Sequence, residues 1–434
     1  MKHSFLLFAL LLILVSSCDF LDKSESIKKE KLEGVIQKGP FVSGTSVFMY
    51  ELNPQMGQSG RSFSTNIIND GGLFEFNNIE LASNFVELLS MGFYFNEVTG
   101  KISDAPISLT SLSNVKDRNS INVNVLTHLE KRRIEKLINE GKSFSEAKAQ
   151  SRNEVLSIFS ISLSNELTFE DFDVSKNSEE AAILLSTSLL IQGDRTVGQV
   201  TELLSKIQND ISDNGKIDNK TINQSLYESF RRLNQKKIRQ NLTARFLQLT
   251  NTSQVSNFEK YLEVFEKSYP TNSNFYLGEN GITCKCPGAK PGELGMLNGK
   301  IFEAVDNDLL RKRIRDVNEI GESNFDLTKL CTSLVSDMKD LFPFASPVGK
   351  IENWDVSNVT TMRNMFYSNK LFNHPIGIWD VSKVVDMSGM FQLSNFNQDI
   401  SNWCVKNIPT EPSFFSTNSP LATAFKPKWG TCPN

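Results

Sequence analysis

One feature narrows the folds open to this chain more than any other: a repeat of about 25 residues near its C-terminal end. Trp354-Asp355-Val356-Ser357-Asn358-Val359-Thr360-Thr361-Met362 aligns with Trp379-Asp380-Val381-Ser382-Lys383-Val384-Val385-Asp386-Met387. Met365-Phe366 returns as Met390-Phe391, and Phe372-Asn373 and Ile376 return as Phe396-Asn397 and Ile400. Trp403 opens a third copy with Phe414-Phe415 in the Met-Phe slot, and Leu334 to Met338 with Leu341-Phe342 forms a degenerate earlier one. A unit this small cannot bury its own apolar side, so neighbouring units must stack into one core. Val356, Val359, Met362, Met365 and Phe366 fill the slots that stacking turns inward. Trp354, Trp379 and Trp403 are expected to stack as a ladder, either inside the core or as a platform for sugar faces. Ser357, Asn358, Thr360, Ser382 and Lys383 are expected outward, on a face suited to binding by hydrogen bonds.

The segments Trp-Asp-Val-Ser-Asn-Val-Thr-Thr-Met-Arg-Asn-Met-Phe and Phe-Asn-Gln-Asp-Ile-Ser-Asn-Trp resemble BspA-like leucine-rich-repeat surface proteins, of the 25-residue type also seen in mycoplasma lipoproteins. The resemblance implies a leucine-rich-repeat-like solenoid over the C-terminal domain, residues 281–434. It implies attachment to host proteins, other cells or surface polymers. Only three to four copies are present, which narrows any adhesive surface.

The other end of the chain carries an export signal. Met1-Lys2-His3 precedes an apolar run from Phe5 to Val15, too short to span a bilayer but proportioned as a signal peptide over residues 1–17. Val15-Ser16-Ser17-Cys18 resembles the lipobox of bacterial lipoproteins, which implies a diacylglycerol on Cys18 and anchorage to a membrane. Asp19 accompanies inner-membrane retention in some bacteria and surface export in others; the cell surface or outer membrane is the preferred expectation. Residues 18–32, polar and charged, read as a tether.

Between these ends lie two further regions, so the fold expected is multidomain α+β. Residues 33–118 alternate short strands and turns, notably Val47 to Leu52 and Asn69-Asp70-Gly71-Gly72 before Leu73-Phe74-Glu75-Phe76, and predict a small β-sandwich. With Gly39-Pro40-Phe41-Val42-Ser43-Gly44 they resemble the carboxypeptidase-regulatory, transthyretin-like modules of secreted bacterial proteins, which implies a spacer or stalk. Residues 121–272 show helical periodicity, a capping box at Ser143-Phe144-Ser145-Glu146 and a nearly all-apolar stretch from Ala181 to Ile191, and predict a bundle of five to seven helices. Asp210 to Asp218 follows a calcium loop through nine positions, but Thr221 stands where the closing Glu belongs, so a polar inter-helix turn is the plainer reading.

Five cysteines follow Cys18, all from residue 284 onward. In an exported chain they are expected as disulfides. Cys404–Cys432 would close a loop of about 29 residues and stabilise the last repeat by roughly 3–4 kcal/mol. Cys284 and Cys286 lie too close to pair with each other, which leaves one of them for Cys331; their spacing lacks the finger-like pairs of a zinc site.

The functional classes are bounded in the same way. Acidic residues number 50 against 46 basic ones with no clustered basic face, which argues against nucleic acid as a partner. Only His128 and His374 follow the export signal, and no nucleophile elbow, zinc-protease helix or phosphate loop occurs. Glu170, Asp171 and Asp173 are clustered carboxylates, read as a solvated inter-helix loop. No catalytic residue, metal or cofactor is therefore expected. The expectation is a lipid-anchored surface protein binding a protein or glycan; an envelope assembly component is the alternative, and a surface hydrolase a weaker one.

Overall fold

The computed structural model describes residues 26–164, 166–319, 326–344 and 348–433. The export signal and Cys18 lie outside them. Five strands open the chain: β1 (Ile27–Gln37), β2 (Ser46–Leu52), β3 (Gln58–Asn66), β4 (Leu73–Leu81) and β5 (Phe85–Gly92). The short β6 (Phe95–Asn96) and β7 (Lys101–Ile102), then β8 (Ile107–Asn114) and β9 (Val123–Asn124), complete this region. One sheet runs β3-β2-β5-β8 and another β4-β1-β9. Alternation does the folding here: Val47, Met49, Val86 and Leu88 face one way along their strands and are buried against Leu32, Phe74 and Phe76 of the other sheet.

β1 begins inside the stretch expected to be a tether. Its charges are accommodated at the surface, where Lys31 pairs with Glu33 and with Glu75 of β4 at 2.6 and 2.7 Å. Ile27 and Leu32 pack inward. Polarity hid a strand whose charged side chains bond to their neighbours.

Seven helices follow: α1 (Val125–Asn139), α2 (Phe144–Ile158), α3 (Glu179–Gln192), α4 (Val197–Asn214), α5 (Lys220–Arg232), α6 (Gln235–Thr250) and α7 (Phe258–Lys267). Ser143 and Glu146 cap α2 reciprocally, as the sequence predicts. The apolar α3 is buried around its whole circumference. Sheets and helices share one contiguous core that also takes in Leu294, Met296 and Ile301. Polar links reinforce it: the fully buried Lys38 pairs with Glu97 at 3.1 Å, and the Tyr94 hydroxyl donates to Gln192 of α3 at 2.8 Å.

Residues 281–319, expected within the repeat domain, continue a segment from 276 that carries no repeats. They form hairpins β10 (Tyr276–Leu277)–β11 (Cys284–Lys285) and β12 (Leu294–Leu297)–β13 (Lys300–Ala304), followed by α8 (Asn307–Glu319). β14 (Leu330–Cys331) pairs in parallel with β13 and leads into the repeats.

The leucine-rich-repeat solenoid is overturned. Such a fold needs a strand from every repeat joined in one parallel sheet. Beyond β14, no strand or α-helix occurs among the described residues; in place of a continuous ladder, isolated bridges run from Asp337 to Thr361 to Asp386. The cause is local. Each copy places two residues in the left-handed region four positions apart: Asp340 and Phe344, Asn364 and Ser368, Gly389 and Leu393, Phe414 and Asn418. These kinks interrupt any extended run. The whole is a mixed α+β structure with several small sheets, eight helices among the described residues, and a C-terminal column of irregular coils.

Candidate functional site

The column is held by backbone bonds that repeat from coil to coil. The N–H groups of Met362, Asn364, Phe366 and Ser368 donate to the carbonyls of Asp386, Ser388, Met390 and Gln392 at 2.8–2.9 Å. Gly389, Phe391 and Leu393 donate to Ser413, Phe415 and Thr417 in the same way. Gly389 suits its place twice over: its φ is +65°, and an added Cβ would lie 2.3 Å from the Asn364 Oδ1.

Inside the column the aromatic ladder is phenylalanine rather than tryptophan. Phe366 stacks on Phe372 at 4.0 Å, Phe391 on Phe396 at 4.0 Å, and Phe366 on Phe391 at 5.7 Å, all within 7° of parallel. Trp354, Trp379 and Trp403 are 1%, 3% and 1% exposed and offer no face to a sugar. The indoles of Trp354 and Trp403 donate instead to the carbonyls of Leu327 and Ile376, at 3.0 and 3.1 Å.

Several side chains expected to hydrogen-bond a ligand bond the column itself. Asn358 Nδ2 donates to the Ser333 carbonyl at 2.8 Å, and Thr360 Oγ1 to Ser336 at 3.1 Å. Lys383 Nζ donates to Asn358 Oδ1 at 2.7 Å, and Ser357 Oγ to Asp355 at 2.7 Å. What remains open is a groove of 440 Å³ where the β10–β11 hairpin meets the column, lined among others by Tyr276, Asn280, Lys285, Ile378 and Asp380. Tyr276 and Ile378 are exposed there. Tyr276 stands outside the repeat alignment, so periodicity gave no signal for it.

The start of the column and one side of its last coil are engaged. At the start, Asn307 of α8 accepts from the N–H groups of Ser336 and Asp337 at 2.9 and 3.1 Å, and Arg311 donates to the Lys339 carbonyl at 2.9 Å. At the other end the tail folds back: Ile400, Val405 and Gly430 donate to Phe425, Thr431 and Ile408, and Trp429 sits edge-on to Phe415. The disulfide Cys404–Cys432 closes this tail, and Cys286–Cys331 joins β11 to the segment that leads into the column. Cys284 is buried and unpaired, and burial pushes its thiol up to about 12, far from a reactive thiolate.

The clustered carboxylates are not a solvated loop. Glu170 is buried, where Lys148 Nζ donates to it at 2.6 Å and Ser113 Oγ at 2.8 Å. Lys148 also bonds Glu130 of α1, 40 residues from Glu170 in sequence. Asp171 pairs with Arg118 at 2.8 Å, and Asp173 accepts from Gln37 at 2.7 Å. Burial, with the Glu170 charge adding to it, pushes Glu130 up to about 8 despite Lys148. Burial also opposes the Glu170 charge, but Lys148 and Ser113 outweigh it and hold that carboxyl below its usual range. One acid and one carboxylate thus clamp a single ammonium, joining β8, α1, α2 and the 3-10 turn Phe169–Asp171. A 460 Å³ cavity lined in part by Arg118, Lys148, Arg152 and Glu170 adjoins it, while Glu130 is sealed behind. His128 is no exposed base either: burial drives it down to about 4, and it bonds Thr110 at 3.1 Å.

Asp210 to Asp218 is a polar turn closed by its own hydrogen bonds. Asp210, Ser212 and Asn214 belong to α4, and Asp210 accepts from the N–H groups of Asp218 and Asn219 at 2.8 and 3.0 Å. The helix runs to Asn214 and turns on Gly215 at φ +75°, and Asn214 Nδ2 donates to Asp218 at 2.8 Å, so the loop's side chains bond one another.

With this geometry in hand, comparison places residues 312–429 as similar to a family described as "Mycoplasma protein of unknown function, DUF285". That span covers the repeats and most of α8. Comparison with curated proteins and with solved structures finds no match.

Proposed function

We propose that this chain is an envelope lipoprotein, anchored through Cys18, that displays the coil column as its binding region. The observation carrying this reading is the groove between the β10–β11 hairpin and the column, where Tyr276 and Ile378 are exposed beside Asp380 and Lys285. A lining that mixes Tyr276, Leu277 and Ile378 with Asn280, Lys285 and Asp380 suits a macromolecular ligand, a protein or a glycan. The likeness of residues 312–429 to a mycoplasma family fits a bacterial protein; the surface setting rests on the lipobox and the BspA-like repeat pattern. The transthyretin-like likeness of residues 33–118 fits a stalk role for the first sheets. The cell surface, rather than the inner membrane, is the location this reading requires. A hydrolase is disfavoured because the buried acid pair is clamped on Lys148.

The test uses residues 19–434 on an array of glycans and matrix proteins, with intact cells labelled by a fatty acid in parallel. Retention of one ligand class by the wild-type chain, weakened at least tenfold in Tyr276→Ala with Asp380→Ala, supports the groove. Label on the wild-type chain and none on Cys18→Ser supports the anchor. Silence of the wild-type chain across the array sinks the adhesive reading in favour of an assembly component.

A further inference from the structure

The tail covers only one side of the last coil. On its other side no described residue adds a further coil beyond the segment Ser413 to Ser419. The N–H groups of Phe414, Ser416 and Asn418 occupy the slots from which Gly389, Phe391 and Leu393 donate to the next coil. Among the described residues none of the three has a hydrogen-bond acceptor. They form the same comb, spaced two residues apart, with its counterpart missing.

Two further observations set this edge apart. Natural edges are blunted by charges, yet Ser413-Phe414-Phe415-Ser416-Thr417-Asn418-Ser419 carries none. The left-handed slot that holds Asp340, Asn364 and Gly389 in earlier coils holds Phe414 here, at φ +59° and 63% exposed. Asn, Asp and Gly tolerate that conformation; a large aromatic is strained in it. An exposed ring kept at such a site needs something to cover it.

We propose that this open end is a docking site for an extended polypeptide segment that adds as a further coil. The inference rests on the reading that the column is the binding region, and it names the partner class. The occupant must supply three carbonyls at every second residue, because within the column Ser388, Met390 and Gln392 supply them to Asn364, Phe366 and Ser368. A polypeptide backbone does this; a glycan has no such row. Affinity comes from main-chain bonds, as in strand addition, and the Phe414 ring adds an apolar contact.

The probe is a fluorescent peptide with the sequence of residues 384–395, the stretch that accepts these bonds in the preceding coil, beside a scrambled peptide of equal composition. Binding to residues 19–434 is read by anisotropy for the wild-type chain and for Phe414→Asn, with melting temperature read in parallel. The expected result is saturable binding by wild type, at least tenfold weaker for the scrambled peptide. Phe414→Asn, which keeps a residue suited to the left-handed slot, should bind at least tenfold more weakly with no fall in melting temperature. Equal binding of the two peptides, or of the two proteins, overturns the inference. So does retention of an array ligand by Phe414→Asn when the wild-type chain binds no peptide, and that outcome leaves the groove reading standing. Peptide binding with a silent array supports the open end and removes the groove.

Discussion

Glu130 is where burial and charge meet most sharply. Its carboxyl keeps a proton in the folded chain up to about pH 8, whereas in an unfolded chain it releases that proton near 4.5. Between those values the folded state binds more protons than the unfolded one, so stability falls as pH rises. The contribution is fully present below 4.5 and is lost as pH climbs through 8. Glu130→Gln keeps a neutral side chain of the same shape at every pH. Melting temperatures at pH 5 and pH 8 should show wild type losing stability relative to this variant, by an amount on the order of a few kcal/mol. A difference that does not change with pH would mean that Glu130 is ionised in the fold. Little of this was legible in the sequence. Glu170, Asp171 and Asp173 look like one acidic loop, yet each has a different partner, Lys148, Arg118 and Gln37, brought up from a distant region of the chain. Spacing along the chain carries no record of such convergence.

At the level of single elements the repeat was the most readable feature. Rare residues in register marked the inward slots, and Val356, Val359, Met362, Met365 and Phe366 are all buried. The path of each coil was not readable. Left-handed residues such as Phe414 and Leu393 are neither Gly nor Asn, so turn chemistry did not announce them, and the resemblance implied a leucine-rich-repeat solenoid instead. The first half of β1, residues 27–32, escaped for the opposite reason, because cross-strand ion pairs let charged residues form a sheet. The tail disulfide, expected from spacing, also predicts behaviour. Replacing Cys404 and Cys432 by Ala frees a loop whose ends lie 28 residues apart. Loop entropy puts the loss at roughly 3 kcal/mol, confined to the last coil and its tail. Limited proteolysis should then cut between residues 405 and 431 while the preceding coils resist; an unchanged digestion pattern would show that packing of Trp429 on Phe415 holds the tail unaided.

Across the whole molecule, two buried carboxylates join the column to the helices. Glu266 of α7 accepts from Lys300 at 3.2 Å, Lys329 at 3.1 Å and the Ile301 N–H at 3.3 Å. Glu303 of β13 pairs with Arg231 of α5 at 3.2 Å and Arg313 of α8 at 2.6 Å. Removing one member of a buried ion network costs about 3–5 kcal/mol. Glu303→Ala should split calorimetric unfolding into two transitions, with the column leaving first; one unshifted transition would show that the apolar contacts of β12 and β13 suffice. These links were hidden in the sequence because they cross the boundaries that its patterns suggest, between a sandwich, a bundle and a repeat domain. The repeating backbone register has a different kind of consequence. Each coil receives its neighbour through the same donor and acceptor positions, and α8 at the start and the tail beside the last coil make their contacts independently of how many coils lie between. In-frame duplication of a 25-residue stretch such as 359–383 would therefore lengthen the column by about one inter-strand spacing, roughly 4.8 Å, without remaking either end. Reach is then a matter of copy number, which unequal recombination can change in a single event.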